Sequence, residues 1–294
     1  MHSRREFLKT GSAALIYGSA MLRGSTLNAE PLGLPLGLQL YSVRELLPKD
    51  YEGTLKKVAA AGYKQVEAAG FYDKSASQVK QAMQAAGLQC VSAHYPLKTL
   101  QEKFDETLAF AKAVGLEYVV CSSPGFQHPA PAARFEDSFK NFKLADWRWN
   151  AEQFNKVGEK FHAAGLKFGY HNHFMELHKT EGVVPLDELI RLTDPSKVTF
   201  EMDCGWVIVG GGNPVDFLHR YPTRISMLHV KDFTQLNPPK VCELGKGVVH
   251  YGPIFQAAAK TGHIKHIFVE QEEFDMPPFQ ELKGDADYMR KFKS

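Results

Sequence analysis

"AAGLKFGYHNHFMELH", residues 163–178, holds a helix end, a strand and a polar cluster in one run. Small residues lead to Gly165, and glycine suits the left-handed backbone just past a helix C-terminus because it has no Cβ to clash. An apolar strand follows at once. It ends in three histidines, an asparagine and a glutamate between Lys167 and His178. The stretch therefore predicts a helix-to-strand joint with chemistry at the strand's far end.

The joint recurs. "AAGYKQVEAAG" at Gly62, "AAGLQCVSAH" at Gly87, "AVGLEYVVCS" at Gly115 and, more loosely, "KTGHIKHIFVEQ" at Gly262 repeat the small-residue, glycine, apolar-strand order. The helices before them carry the right period, with Leu55, Val58 and Ala59 on one stripe and Leu108 with Ala111 on another. Three further strands fit "LGLQLYSV", "KVTFEMDCG" and "RISMLHVKD". Strands are thus expected near 37–43, 64–68, 88–94, 117–122, 167–172, 198–203, 225–230 and 265–270. Eight strands alternating with helices over about 265 residues predict an α/β fold, a single-domain parallel (β/α)8 TIM barrel spanning 31–294. A doubly wound open sheet uses the same units, and the strand count decides against it. No G-x-G-x-x-G follows a strand, so the glycines of "GWVIVGGGN" predict a turn before a helix opening at Pro214.

Residues 1–30 are set apart from the fold. "SRREFLK", Ser3 to Lys9, places paired arginines before Phe7 and Leu8, and a mild apolar stretch follows from Gly11 to Leu22. This resembles a twin-arginine signal peptide, an address read by the export machinery and not an anchor, with a small-residue cleavage site near "LNA". The stretch is too short for a secure membrane span. A periplasmic location is expected, with a cofactor loaded before export.

The 294-residue chain carries a formal net charge of +2 and 44% hydrophobic residues. Its Lys and Arg are spread along the chain, so no footprint for a nucleic-acid backbone is visible. Cys90, Cys121, Cys204 and Cys242 lack a close CxxC spacing and are expected as small core residues, with one disulfide open.

In such a barrel, working groups sit where strands end. Those points carry Gln39, Tyr41 and Arg44, then Glu67, His94, Ser122 and Ser123. The later strands carry His171, Asn172, His173 and Glu176, then Asp203, then His229, Lys231 and Asp232, and finally Glu270 and Gln271. Carboxylates and imidazoles on successive strands at one rim suit one divalent metal ion: Mn, Mg, Co or Zn. Trp206 beside Asp203 is a core aromatic or a platform on which a sugar stacks. Glu67 and Arg44 are expected to pair across the first two strands, and Lys231 with Asp232 to form a catalytic group or a solvated pair.

The phrases "YHNHFMEL", "FEMDCGW", "LHVKDF", "ELGKGVVHYGPIF" and "FVEQEE", in that order, resemble the sugar phosphate isomerase/epimerase group of xylose isomerase-like TIM barrels. The resemblance covers nearly all of the chain after the signal. It implies one divalent ion held from the last four strands, and Asp203, His229 and Glu270 match the ligand positions. The fifth strand departs from the pattern, with His171 where many relatives have glutamate. Glu176 is the expected fourth ligand, with His171 or His173 as alternatives.

A metal on a sugar carbonyl makes the neighbouring C–H acidic and stabilises the enediolate. Glu270 and Glu176 are the candidate bases, and His94 or Lys231 the stabiliser of the oxyanion. Gln39, Tyr41, His171, His173 and Trp206 are candidate substrate contacts. The expected activity is isomerisation or epimerisation of an unphosphorylated sugar or keto-sugar, since sugar phosphates are chiefly cytoplasmic. The same intermediate also serves a lyase or dehydratase, and the alternatives extend to a hydrolase of glycosides or a non-catalytic sugar-binding barrel. An apurinic-endonuclease activity fits poorly with export and with the absence of a basic face. A homo-oligomer is compatible with the resemblance.

Overall fold

The computed structural model describes residues 30–127 and 136–292. The expected export signal lies outside them, apart from Glu30. Eight parallel strands form the barrel: β1 (Leu36–Gln39), β2 (Gln65–Ala68), β3 (Gln89–Pro96), β4 (Tyr118–Ser123), β5 (Lys167–His171), β6 (Val198–Asp203) and β7 (Ile225–Val230). A hairpin, β8 (Asp232–Leu236) and β9 (Pro239–Cys242), precedes the closing strand β10 (His266–Val269). The strands close in the order β1-β10-β7-β6-β5-β4-β3-β2. Each expected strand is present. The hairpin is an addition, because "DFTQLNPPKVC" lacks the apolar alternation of a buried strand and reads as a polar loop.

The local chemistry explains the joints. Asp50 caps the helix Tyr51–Ala61 by accepting from the Gly53 amide, and the helix buries Leu55 and Val58 completely against the barrel. Each such side chain contributes about 1.5–3 kcal/mol of burial. The helix stops at Gly62, whose φ of 112° strains any residue with a Cβ. Pro214 opens the helix Pro214–Arg220 as expected. Gly210 and Gly211 form the expected turn before it, and the apolar run ahead of them, Cys204–Val209, is a short helix that starts where the Asp203 side chain accepts from the Trp206 amide.

Most apolar residues form one core between the helices and the barrel wall. Val91, Tyr118, Val120, Met227 and Phe268, all from barrel strands, form a second small cluster that plugs the barrel. Buried polar groups sit above this plug at the C-terminal strand ends. All four cysteines are buried and free, which settles them as core residues. Among the described residues no helix is long and apolar enough to cross a membrane.

Candidate functional site

The strand register builds the site. His171 of β5 pairs with Glu201 of β6, Asp203 of β6 pairs with His229 of β7, and His229 lies opposite Phe268 of β10. Side chains alternate along a strand, so Glu201 and Asp203 point the same way. One ligand atom each from His171, Asp203, His229 and Glu270 therefore falls within 4.8 Å of the others, on four consecutive barrel strands. All four residues are buried.

Asp203 marks the set as a cation site. Its Oδ1 accepts from the Trp206 amide at 2.8 Å, whereas its buried Oδ2 has no hydrogen-bond partner. Burial pushes this carboxyl up to about 6, against the pull of Lys231 and His229. A buried carboxylate oxygen without a donor is costly, on the order of 1–3 kcal/mol or more. With His171, His229 and Glu270, Asp203 makes a set of two imidazoles and two carboxylates, which matches the preferences of first-row divalent ions.

A second group, His94, His171, Glu201 and His229, also brings its ligand atoms together. These atoms are largely committed to one another. Glu201 Oε2 lies 2.7 Å from His94 Nε2, 3.0 Å from His171 Nδ1 and 3.2 Å from His229 Nε2, leaving only Oε1 unpartnered. Glu67 Oε1 accepts from Gln39 Nε2 at 2.7 Å and lies 2.8 Å from both His94 Nε2 and His229 Nε2, while the Ser92 hydroxyl donates to its other oxygen. Each group holds one open carboxylate oxygen, Glu201 Oε1 or Asp203 Oδ2, and the outer group is the better candidate because the other Glu201 oxygen is already shared among three imidazoles, whereas Asp203 Oδ1 accepts one backbone amide.

This inner layer sets the charge states. Burial alone lowers the His94 pKa, but Glu67 and Glu201 push it up to about 10. Burial likewise opposes a charged His229, and Glu201, Glu270 and Glu67 hold it well above the ordinary value. Against burial and the Glu67 charge, His229 and His94 draw Glu201 down to about 2. Glu201 is the functional residue that strand-end reasoning missed. Its signal was present as an acidic residue in the middle of the buried strand "VTFEMD".

Several expectations need correction. Glu176 lies outside the candidate ligand groups: its oxygens accept from the Tyr170 hydroxyl at 2.5 Å and the His173 amide at 3.1 Å, inside a short 3-10 turn. The fifth strand contributes His171 to those groups. Gln39 is fully buried and fastens Glu67 instead of facing a ligand. Arg44 pairs with no glutamate of the second strand, because Glu67 is turned into the barrel; its guanidinium donates to the carbonyls of Tyr41 and Glu272.

Lys231 and Asp232 are both buried, so neither is solvated. The Lys231 ammonium sits 3.0 Å from Glu270 Oε2 and 3.7 Å from Asp203 Oδ2, contacts Glu272, and lies 4.7 Å from the Trp206 ring centroid. Asp232 instead accepts from the amides of Gly245, Gly247 and Val249 and holds that loop down. Tyr41, His94, His171, His173, Trp206, Lys231 and Glu270 all line one cavity of about 430 Å³ at this rim. A cavity of this size takes a small ligand.

Residues 55–292 match the family model described as xylose isomerase-like TIM barrel. The chain is 26% identical over 249 residues to an inosose dehydratase of Clostridium botulinum (strain Alaska E43 / Type E3), covering 76% of this chain and 82% of that protein. It is 25% identical over 248 residues to an inosose dehydratase of Lacticaseibacillus casei, with shares of 76% and 82%. A crystal structure of a sugar phosphate isomerase/epimerase from Parabacteroides distasonis superposes with a TM-score of 0.72 at 27% identity, covering 86% of this chain and 97% of that one.

Proposed function

Since the chain belongs to the xylose isomerase-like TIM barrel family, we propose that it is a metal-dependent enzyme that takes a proton from the carbon beside a keto-sugar carbonyl and eliminates the group one carbon further on. His171, Asp203, His229 and Glu270 would hold the divalent ion. When bound, the ion polarises the carbonyl and stabilises charge that develops on its oxygen.

The observation that carries this reading is that one carboxylate and one imidazole held by two buried glutamates line a single cavity. Glu270, kept ionised against burial by the Lys231 ammonium 3.0 Å away, is the base. His94, kept protonated by Glu67 and Glu201, is the acid. The C–H bond breaks toward Glu270, the carbon–oxygen bond to the leaving group breaks, and that oxygen takes its proton from His94. Lys231 stays charged beside the rim and favours negative charge on the substrate. The two carboxylates of the cavity, Glu270 and Glu272, follow the same strand and both contact Lys231, so they do not face each other from opposite sides as a two-base epimerisation would need, and Glu176 is turned to Tyr170. The dehydratase names of the relatives agree with elimination.

Isomerisation or epimerisation is the second reading, supported by the name of the Parabacteroides distasonis structure. Incubation with keto-inositols and keto-hexoses in D2O separates the two. Elimination releases water and leaves a lighter, unsaturated product, and Glu270→Gln slows it by about 10²–10⁴-fold. A product of unchanged composition carrying deuterium on the neighbouring carbon would establish isomerisation instead.

The proposal extends to location. The paired Arg4 and Arg5 support twin-arginine export and an unphosphorylated substrate. Changing both arginines to lysine should hold the protein in the cytoplasm, and unchanged periplasmic recovery would refute this route.

A further inference from the structure

A second cavity, about 680 Å³, opens on the same rim and shares Trp206 with the cavity of about 430 Å³. Its walls come from the βα loops of the site strands. Phe142 and Trp147 follow β4, Phe174 and Met175 follow β5, Trp206 follows β6, and Pro238 belongs to the hairpin. The two lobes differ in chemistry. The first is lined by imidazoles, a lysine and glutamates, whereas the second presents aromatic rings, with its charges at Asp137, Lys140 and Lys179.

The rings are set for aromatic contact. Phe142 meets Trp147 edge-on at 5.0 Å, and Phe174 tilts against Trp206 at 5.5 Å. Trp147 adds an independent sign of a ligand: it is only 2% exposed, yet its indole N–H has no hydrogen-bond partner within the protein. A buried indole donor ordinarily finds an acceptor. The rings of Phe142, Trp147, Phe174 and Trp206 give an aromatic group with one or two oxygens faces to stack on, and the Trp147 indole gives it a donor.

We propose that this cavity binds an aromatic aglycone, so that the substrate is an aryl keto-glycoside and not a free monosaccharide. This rests on the elimination reading above and names its leaving group. For the aglycone to leave, the carbonyl must lie two carbons from the anomeric carbon, as in a 3-keto-glycoside. The proton on the carbon between them passes to Glu270, and the anomeric carbon–oxygen bond breaks with its electron pair going to oxygen. That oxygen takes a proton from His94, leaving an unsaturated keto-sugar and a free phenol. No oxidant or reductant is needed.

The test uses binding and turnover on the full chain. By calorimetry, 4-nitrophenyl glucoside, which is not a keto-sugar, should bind at least about tenfold tighter than methyl glucoside. Phe142→Ala and, as the conservative change, Trp147→Phe should shrink that preference to about threefold or less. In turnover, 4-nitrophenyl 3-keto-glucoside should release nitrophenol, with a kcat/KM about tenfold or more above water loss from 3-keto-glucose. Equal binding of the two glucosides, a preference untouched in both variants, or tighter binding of a disaccharide would overturn the aglycone site. If 3-keto-glucose loses water while the aryl compound is no better, this inference fails and the elimination reading stands. If the aryl preference appears in binding but neither keto-sugar reacts, the elimination reading fails and the aromatic site stands.

Discussion

The Tyr170 hydroxyl donates to Glu176 Oε1 at 2.5 Å, and both residues are buried. This bond, with the His173 amide on the other oxygen, keeps Glu176 away from the candidate metal-ligand set. Burial pushes the Glu176 carboxyl up to about 7, while the Tyr170 donor favours its charged form. A carboxyl raised in the folded state gives stability that is full below its unfolded value near 4.5 and lost as pH rises through about 7. Tyr170→Phe removes the donor and enlarges that loss. Denaturant unfolding should show about 1–3 kcal/mol less stability at pH 8 and a smaller deficit at pH 5. An equal deficit at both would contradict the charge argument.

A second pH effect lies far from the site. Asp285 accepts from the Leu244 amide through Oδ1 while its buried Oδ2 has no partner, and burial pushes its carboxyl up to about 8. Its contribution is complete below about pH 4 and is lost as pH rises through about 8. Asp285→Asn keeps the acceptor and cannot ionise. The variant should melt higher than the parent at pH 9, by about 2–4 °C for each kcal/mol relieved, and near the parent at pH 5. A lower melting point at pH 9 would show that the charge is compensated.

Gly205 is the second residue of the short helix behind Asp203. A Cβ there would meet the Lys231 carbonyl oxygen at 2.7 Å and Phe233 Cε2 at 2.8 Å. The nearer obstacle is backbone, so β7 and the helix must part. Gly205→Ala should lose about 1–3 kcal/mol of stability in denaturant unfolding and bind Mn²⁺ more weakly. A variant as stable and as tight as the parent would mean that the loop yields freely.

The barrel was legible because its joints repeat: a glycine that only left-handed backbone requires, such as Gly62, followed by an apolar strand, needs no tertiary information. Asp203, His229 and Glu270 were legible as strand-end residues, since the C-terminal rim is where a barrel exposes function. What local pattern could not settle was the competition at the fifth strand. His171 and Glu176 both lie within reach of the rim in sequence, and the choice between them is made by the hydroxyl of Tyr170, whose direction depends on how the turn Met175–Leu177 packs. Glu201 was hidden for a related reason. Its partner His94 comes from β3, across the barrel, and only closure brings the two together.

The central claim is that His171, and not Glu176, completes the ligand set with Asp203, His229 and Glu270. The measurement is bound Mn²⁺ per chain after dialysis, in the parent, His171→Ala and Glu176→Gln, with folding checked by circular dichroism. The account predicts about one ion in the parent and in Glu176→Gln, and its loss from folded His171→Ala. An ion retained by His171→Ala and lost from folded Glu176→Gln would contradict it.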